Sequence, residues 1–394
     1  MKTNNNIPAY RFQGYTDAWE LRKLGEVARF RRGSFPQPYG NSEWYDGDGA
    51  MPFVQVADVT DEMNLVGDTK QKISRKAQPL SVFAEEGSVL VTLQGSIGRV
   101  AITQYGAFID RTVLIFENFN LPVDNLFWAY IIKQKFIEEA KCAPGGTIKT
   151  ITKEVLSDFD IKLPSHPEQE AIGTFFSTLD QQITLHQRKL DTLKEQKKTY
   201  LKLLFPVKGQ TKPALRFQGF EDDWEEVKLG EVVNIQKGTQ RGKQEISEIQ
   251  SEQFPYPVYN GGQNVSGYTD EYNRENMVIV SEGGASAGYV NYYSGKFWSG
   301  GHNFSIDNLD NNLLFIKSIL EFNQQKLYEL KVGSGLPNVQ LGSINQFVLS
   351  IPSLPEQEAI GTFFQTLDQE LAQVEDKLAS LKEMKKTLLR KLFV

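Results

Sequence analysis

The chain has 394 residues, of which 23% are charged and 40% hydrophobic, a balance that suits a globular protein of two or three domains. It has one cysteine, Cys142, and three widely spaced histidines, which exclude an intramolecular disulfide and disfavour zinc or histidine-rich metal sites. Because the net charge is −6, nucleic-acid binding would depend on local basic clusters and not on total charge.

The N-terminal segment, residues 1–6, lacks the apolar run of a signal peptide. No later stretch approaches the roughly 18 consecutive apolar residues that a membrane span requires. We therefore expect a cytoplasmic protein.

The main feature of the chain is an internal duplication. Residues 8–15, PAYRFQGY, return as PALRFQGF at 213–220, at an offset of 205 residues. A second block, PSHPEQEAIGTFF at 164–176, returns as PSLPEQEAIGTFF at 352–364, at an offset of 188. The two halves therefore share their ends, whereas their interiors differ in sequence and the second interior is 17 residues shorter. This pattern indicates one scaffold that presents two different surfaces.

Each half begins with a region that mixes strand-like and helical patterns. Apolar runs at 88–92 and 277–280 are typical of strands, and each leads into a turn rich in glycine and serine. Helical stretches follow around 125–141 and 312–330. We therefore assign the chain to the α+β class, with two globular mixed α/β domains.

After each mixed region the apolar spacing changes to alternating steps of three and four residues, which is typical of a coiled-coil seam. Pro167 and Pro355 stand where the helices should begin. We expect the two helices to pair as an antiparallel coiled coil with pseudo-two-fold symmetry, and Lys197 and Lys385 to fix its register. The seam residues are Leu179, Ile183, Leu190, Leu193, Lys197, Tyr200, Leu204, Leu367, Leu371, Val374, Leu378, Leu381, Lys385, Leu388 and Leu392.

These patterns divide the chain into five segments. They are a first mixed domain at 1–163, a first helix at 164–206, a polar linker at 207–212, a second mixed domain at 213–351 and a second helix at 352–394.

A search for catalytic motifs finds only weak matches. Residues 238–244, GTQRGKQ, resemble a phosphate-binding loop, but the glycine spacing is one residue short and glutamine replaces serine or threonine. Asp124 with Glu139 and Lys141 fits a metal-dependent nuclease loosely, yet the same acidic-x-Lys triplet recurs inside the seam at 195–197. We find no nucleophile elbow and no adenine methyltransferase motif. We therefore predict no catalytic residue, no metal site and no cofactor bound by this chain.

The repeated motifs carry a family resemblance. The turn Pro-x-x-Pro-Glu-Gln-Glu-x-Ile into a heptad helix occurs twice, and so does the entry Arg-Phe-x-Gly followed by Trp-Glu and Leu-Gly-Glu. Over essentially the whole chain, this arrangement resembles the DNA specificity (S) subunit of type I restriction–modification systems.

The resemblance implies a non-catalytic subunit. Each mixed domain would be a target-recognition domain that reads half of a bipartite, asymmetric site in double-stranded DNA. The helices would be spacers on which methyltransferase (M) subunits dock, with restriction/translocase (R) subunits joining for cleavage. S-adenosylmethionine, ATP and Mg²⁺ are then expected on those partner subunits.

The family has no short motif for base-reading positions, so the candidates come from basic clusters and neighbouring polar residues. For each of them a structural or solvated role is the alternative interpretation. In the first domain they are Arg29, Arg31, Arg32, Lys70, Lys72, Arg75 and Lys76; in the second they are Lys237, Gln240, Arg241, Lys243, His302 and Asn303.

Two rival hypotheses remain open. One is a specificity subunit of another methyltransferase assembly, and the other is a protein–protein adaptor that uses the helices without binding DNA. The divergent interiors favour a reader of variable targets over an adaptor.

Overall fold

The computed structural model describes residues 6–142, 151–207, 209–262, 264–283, 286–333 and 338–393. The chain divides into two units: unit 1 is Met1–Gln187 with Lys377–Val394, and unit 2 is Arg188–Asp376. Lys208 of the predicted linker lies outside the described residues. No helix within the described ranges is long and apolar enough to cross a membrane.

Unit 1 contains ten strands among its described residues. They are β1 (Glu20–Lys23), β2 (Ala28–Arg32), β3 (Met51–Val54), β4 (Gln71–Ile73), β5 (Val82–Ala84), β6 (Val89–Thr92), β7 (Val100–Ile102), β8 (Ala107–Ile109), β9 (Val113–Phe119) and β10 (Asp160–Leu163). They form a pair β1-β10 and two four-stranded sheets, ordered β2-β9-β6-β7 and β4-β3-β8-β5. Strand β3 runs parallel to β8, and the other pairings are antiparallel.

Unit 2 repeats this plan with fewer strands in its described part. They are β11 (Glu225–Lys228), β12 (Val233–Lys237), β13 (Tyr256–Tyr259), β14 (Gly267–Thr269), β15 (Arg274–Ser281), β16 (Val290–Ser299), β17 (Asn303–Asn308) and β18 (Val348–Ile351). β11 pairs with β18, and the others form one sheet ordered β12-β17-β15-β16-β13-β14. As in unit 1, one pairing is parallel, between β13 and the end of β16.

The helices in chain order complete the two units. They are α1 (Leu24–Val27), α2 (Asn125–Cys142), α3 (Lys153–Ser157), α4 (His166–Leu203), α5 (Leu229–Val232), α6 (Leu313–Phe322), α7 (Gln324–Glu329), α8 (Leu341–Asn345) and α9 (Leu354–Leu392). The long helices α4 and α9 each contribute one half to unit 1 and the other half to unit 2.

Each unit has its own aromatic core. In unit 1, Trp19, Phe127 and Phe176 are fully buried, and the end of α9 packs against them through Leu392. In unit 2 a second core is built in the same way around Trp224, Phe315 and Phe364. Burial of each large apolar side chain contributes roughly 1.5–3 kcal/mol, so the long helices are integral parts of both cores.

A buried arginine fork explains why the two repeated blocks occur together. Arg11 donates from Nε and Nη2 to the two carboxylate oxygens of Glu168, each at 2.7 Å, and Glu168 is completely buried. Arg216 and Glu356 repeat this geometry in unit 2. The bond to the carboxylate raises the pKa of each guanidinium. The fork ties the first repeated motif of each unit to the first turn of a long helix.

The glycine of the repeated AIGTFF sequence is required by close packing. A Cβ atom on Gly173 would lie 2.4 Å from Oδ1 of Asp124, and one on Gly361 would lie 2.4 Å from Oδ1 of Asn312. Both oxygens belong to residues at the start of the helix that packs there, α2 or α6. Only glycine lets the long helix approach these helix starts so closely.

The long helices run antiparallel, as predicted. Within unit 1, Asp180 of α4 forms an ion pair with Lys385 of α9, and Gln187 accepts a hydrogen bond from Lys382 at 3.2 Å. Higher numbers on α4 therefore lie beside lower numbers on α9. Nine predicted seam residues are buried: Leu179, Leu190, Leu193, Leu204, Leu367, Val374, Leu378, Leu381 and Leu392. The other six are half-buried: Ile183, Lys197, Tyr200, Leu371, Lys385 and Leu388.

The seam lysine of each long helix pairs with an aspartate of the other long helix. In unit 2, Lys197 Nζ lies 2.7 Å from Oδ1 of Asp368 and 2.9 Å from Oε2 of Glu321. Burial lowers the pKa of Lys197, but the two carboxylates outweigh this effect and raise it above its ordinary value. Lys385 and Asp180 form the same pair in unit 1, so the duplication extends to the charges of the seam.

Candidate nucleic-acid interface

Four loops of unit 1 converge beside the parallel strand pair β3 and β8. They follow β2, β3, β6 and β8. The backbone hydrogen bonds that join them are Gly33 N–H to Val113 O (2.9 Å), Asp110 N–H to Val54 O (3.0 Å), Ser34 N–H to Ile109 O (3.0 Å) and Leu93 N–H to Thr112 O (2.8 Å). A Cβ atom on Gly33 would lie 2.1 Å from the carbonyl oxygen of Ile109, so glycine is needed for this contact.

Unit 2 builds the same loop junction from different residues. Its hydrogen bonds are Gly238 N–H to Asn303 O (2.8 Å), Gly300 N–H to Tyr259 O (2.8 Å), Thr239 N–H to Ser299 O (2.9 Å) and Glu282 N–H to His302 O (2.8 Å). Each bond has its counterpart in unit 1. The match makes Gly301 and His302 the equivalents of Arg111 and Thr112. The two units therefore share a loop framework and differ in the side chains that it presents.

Three candidates of unit 2 meet at this junction. Lys237 ends β12 and pairs with Glu282 at 2.8 Å. Gln240 is exposed and lies against Gly301, and His302 is exposed on the connection between β16 and β17. Lys243 is also exposed, at the start of a short 3₁₀ helix further along the same loop. Loop residues of this kind, with donors and acceptors facing solvent, are suited to contacts with base edges and phosphates.

Arg241 and Asn303 have clear structural partners. The Arg241 side chain is only 9% exposed, pairs with Asp270 at 2.5 Å and lies over the ring of Trp298 at 4.5 Å. Asn303 is 1% exposed and donates from Nδ2 to the carbonyl of Tyr259 at 2.6 Å. These two residues hold the loops in place, and their predicted contacts with DNA stay predictions.

The first basic cluster of unit 1 lies on β2, beside the same junction. Arg29, Arg31 and Arg32 are all exposed. Arg31 pairs with Glu117 at 2.5 Å, and Arg32 donates to the carbonyl of Ile151 at 3.2 Å. Together with Lys153, Arg31 and Arg32 border a cavity of about 110 Å³ with apolar walls, which are Phe30, Leu93, Leu114, Ile151 and Leu156.

The second basic cluster of unit 1 belongs to the other four-stranded sheet. Lys72 lies on β4 and pairs with Asp68 at 3.2 Å. Lys76 pairs with Glu43 at 2.5 Å and lies 5.4 Å from the centre of the Trp44 ring. Lys70 and Arg75 are exposed. The predicted DNA-binding cations of unit 1 thus form two groups, one on β2 and one on and around β4.

Sequence reasoning missed Arg111, which stands on the connection between β8 and β9. It is exposed and its guanidinium lies 5.5 Å from the centre of the Tyr39 ring. It has no basic neighbour in the chain, so a search for clusters passes over it. Only the structure reveals it, because the structure matches its loop to the loop of unit 2 that carries the candidate His302.

The residues that loosely matched a nuclease have structural roles. Asp124 accepts a hydrogen bond from Phe127 N–H at 2.8 Å and so caps α2. Glu139 pairs with Lys135 at 2.9 Å on the surface of the same helix. Within the described residues, no group of three or more His, Cys, Asp or Glu side chains could hold a metal ion.

Comparison with known proteins agrees with this architecture. The family model described as the type I restriction modification DNA specificity domain matches residues 16–195 and 221–383. The chain is 23% identical to the type I restriction enzyme MjaVIII specificity subunit of Methanocaldococcus jannaschii, over 89% of this chain and 86% of that protein. It is 22% identical to the EcoprrI specificity subunit of Escherichia coli, over 90% of each.

A solved structure has the same fold. It is the crystal structure of the S subunit of a type I restriction–modification system from M. genitalium, which superposes with a TM-score of 0.74 at 21% identity. The match covers 98% of this chain and 99% of that one, so the likeness in fold includes both units.

Proposed function

The chain belongs to the type I restriction modification DNA specificity family, and we propose that it is the subunit that reads the DNA target of such a complex. Each unit reads one half of a bipartite, asymmetric site. The chain thereby directs methylation and restriction by partner methyltransferase and restriction/translocase subunits.

The observation that carries this proposal is the pair of matched loop junctions. The same backbone hydrogen bonds hold Arg111-Thr112 in unit 1 and Gly301-His302 in unit 2. A constant backbone with variable side chains is what two readers of unlike half-sites need, because base-edge contacts specify sequence.

The paired surface cations supply the phosphate contacts in this proposal. Arg31 and Glu117 form an ion pair on the protein surface, whereas the exposed Lys237 pairs with Glu282, whose side chain is only 14% exposed. Exposed ion pairs contribute only about 0–1 kcal/mol, so a DNA phosphate can replace Glu117 as the partner of Arg31 at little cost. An acidic chain can therefore bind DNA through such residues.

The chemistry belongs to the partner subunits in this proposal. S-adenosylmethionine, ATP and Mg²⁺ are expected on them, and the whole complex works in the cytoplasm. The structural roles of Asp124 and Glu139 support a chain that contributes recognition and scaffold only.

The purified chain alone should not cleave DNA, hydrolyse ATP or transfer methyl groups. Each activity is measured in a preparation free of partner subunits, with Glu139→Ala as the control variant. Mg²⁺-dependent cleavage that Glu139→Ala abolishes would show that the chain is a nuclease and overturn the non-catalytic part of the proposal.

The experiment that tests the proposed function is co-expression with the partner methyltransferase, followed by mapping of methylated positions in genomic DNA. We expect one interrupted, asymmetric motif. Assembly with the methyltransferase without sequence-dependent binding or methylation would favour the adaptor hypothesis instead.

A further inference from the structure

Arg111 differs from the arginines of β2 in its position, because it stands on a loop of the junction. We propose that Arg111 reads a base edge, with a guanine as its preferred partner, in the half-site bound by unit 1. This inference rests on the proposed function and assigns a specificity-determining residue to it.

The position of Arg111 follows from the matched hydrogen bonds. Thr112 accepts from Leu93 N–H as His302 accepts from Glu282 N–H, each at 2.8 Å. Arg111 is therefore one residue before the equivalent of His302. It occupies the loop at which unit 2 gathers its exposed polar candidates.

A buried carboxylate fixes the backbone of the loop that carries Arg111. Asp110 is 1% exposed and accepts hydrogen bonds from Tyr39 Oη (3.1 Å), Thr112 N–H (2.9 Å) and Thr112 Oγ1 (2.5 Å). Gln55 Nε2 donates to Tyr39 Oη at 2.8 Å. Burial and the Asp110 carboxylate raise the pKa of Tyr39 to about 12, so its hydroxyl stays protonated and can donate. A backbone fixed in this way loses little of its own conformational entropy when the side chain that it carries binds.

The guanidinium of Arg111 is available for a ligand. The side chain is exposed, and the described residues include no carboxylate within ion-pair distance of it. By contrast, Arg31 and Arg99 of the same unit pair with Glu117 and Asp61. Binding through Arg111 therefore does not require an ion pair within this unit to be broken.

The ring of Tyr39 favours a base over a phosphate as the partner. A guanidinium 5.5 Å from the ring centre is within range of cation–π attraction, which restricts its movement while its N–H groups keep their planar fork. A fixed fork selects a matched pair of acceptors, and O6 with N7 of guanine in the major groove is the commonest such pair. Phosphates are contacted less selectively, as expected of the cations along β2.

The test uses the full chain assembled with its methyltransferase partner and a library of duplexes randomised over both half-sites. The variants are Arg111→Ala, Arg111→Lys and, as a matched control, Arg22→Ala, an exposed arginine that pairs with Glu20 on β1. We expect Arg111→Ala to reduce discrimination at one base pair of the first half-site by roughly ten- to hundred-fold. Arg111→Lys should keep the salt dependence of binding and still lose discrimination, because lysine lacks the fork. The second half-site and Arg22→Ala should behave as wild type.

Two outcomes would overturn the inference while the wild-type complex still reads its target. One is equal weakening by Arg111→Ala on all sequences with a lower salt slope, which identifies a phosphate contact. The other is wild-type discrimination by both Arg111 variants. If the wild-type complex itself shows no sequence preference, the proposed function fails and not merely the role of Arg111. Thermal unfolding of each variant checks that the fold is retained.

Discussion

At the scale of single residues, the repeated motifs are mostly structural, and we propose that the variable residues carry recognition. The Arg11–Glu168 fork and its counterpart, Arg216–Glu356, are buried in their units. Arg111 and His302 are exposed, and each differs from the residue at the equivalent position of the other unit. A motif that repeats in both halves is therefore evidence for the scaffold, and a difference at a matched position is evidence for specificity.

Arg11→Ala should destabilise unit 1 by about 3 kcal/mol, because it leaves the buried carboxylate of Glu168 without its partner. Arg22→Ala, which removes an exposed ion pair, should change stability by less than about 0.5 kcal/mol. Native-state hydrogen exchange of residues 166–187 measures the difference. Equal protection in the two variants would mean that the fork does not hold the helix.

Replacing Arg31 and Arg32 by uncharged glutamine should weaken binding to all DNA sequences and flatten its salt dependence, since neutralised phosphate contacts release fewer counterions. Binding by the assembled complex is measured at several salt concentrations. Arg22→Gln, at an exposed arginine of β1 that pairs with Glu20, serves as the comparison. An unchanged salt slope for the double variant would identify the β2 cluster as a solvated surface.

At the scale of elements, the two long helices carry equivalent lysines in unequal surroundings. Lys197 neutralises Asp368 and Glu321, and Lys317 shares both carboxylates. Lys385 faces Asp180, which also accepts a hydrogen bond from Tyr130 at 2.7 Å. The heptad position is the same, but the neighbours contributed by α2 and α6 differ.

Lys197→Met should therefore destabilise unit 2 by about 3 kcal/mol, because it leaves two carboxylates with one lysine. Lys385→Met should destabilise unit 1 by less, because Lys133 remains near Asp180. Burial and the nearby Lys385 lower the pKa of Lys133, so removal of Lys385 also relieves a repulsion. Each variant is the control for the other. Urea unfolding measures the free energy of unfolding, and hydrogen exchange shows which unit is destabilised. Equal costs in the two units would show that the helix pair alone decides the stability of the seam.

At the scale of the whole molecule, the duplication makes each helix a possible substitute for its twin. In unit 1, the first half of α4 buries Leu179 in the same core as Leu381 and Leu392 of α9. At the offset of 188 residues, Leu193 of α4 and Leu204, directly after α4, correspond to these two α9 residues. A second copy of α4 therefore carries the groups that α9 supplies.

A chain truncated at Pro206 should dimerise through α4. A monomer would expose the leucines of the seam, and burial of each of them stabilises the protein by roughly 1.5–3 kcal/mol. Lys197 of one copy would then face Asp180 of the other. Light scattering measures the dimer, and Lys197→Glu should weaken it, with Asp180→Lys restoring it. A folded monomer at tens of micromolar would contradict the helix pairing.

With methyltransferase partners, the truncated dimer should methylate an interrupted palindrome built from the first half-site twice. Mapping of methylated positions measures this, with the intact chain and its asymmetric site as the control. A non-palindromic pattern would mean that the first mixed domain does not read DNA independently.

The sequence by itself determined the duplication, the α+β class and the pairing of two long helices. These features depend on local periodicity and on repeated motifs, which can be recognised in the sequence without knowledge of contacts between distant residues. Only the tertiary structure decided which polar residues are buried and which loops meet. Arg241 and Asn303 look like solvated loop residues in the chain, yet Trp298 and Tyr259 from distant strands enclose them. Arg111 has no neighbour that marks it in the sequence. It becomes a candidate only because β3 and β8, whose paired residues are 55 positions apart, pair in parallel and bring their loops together.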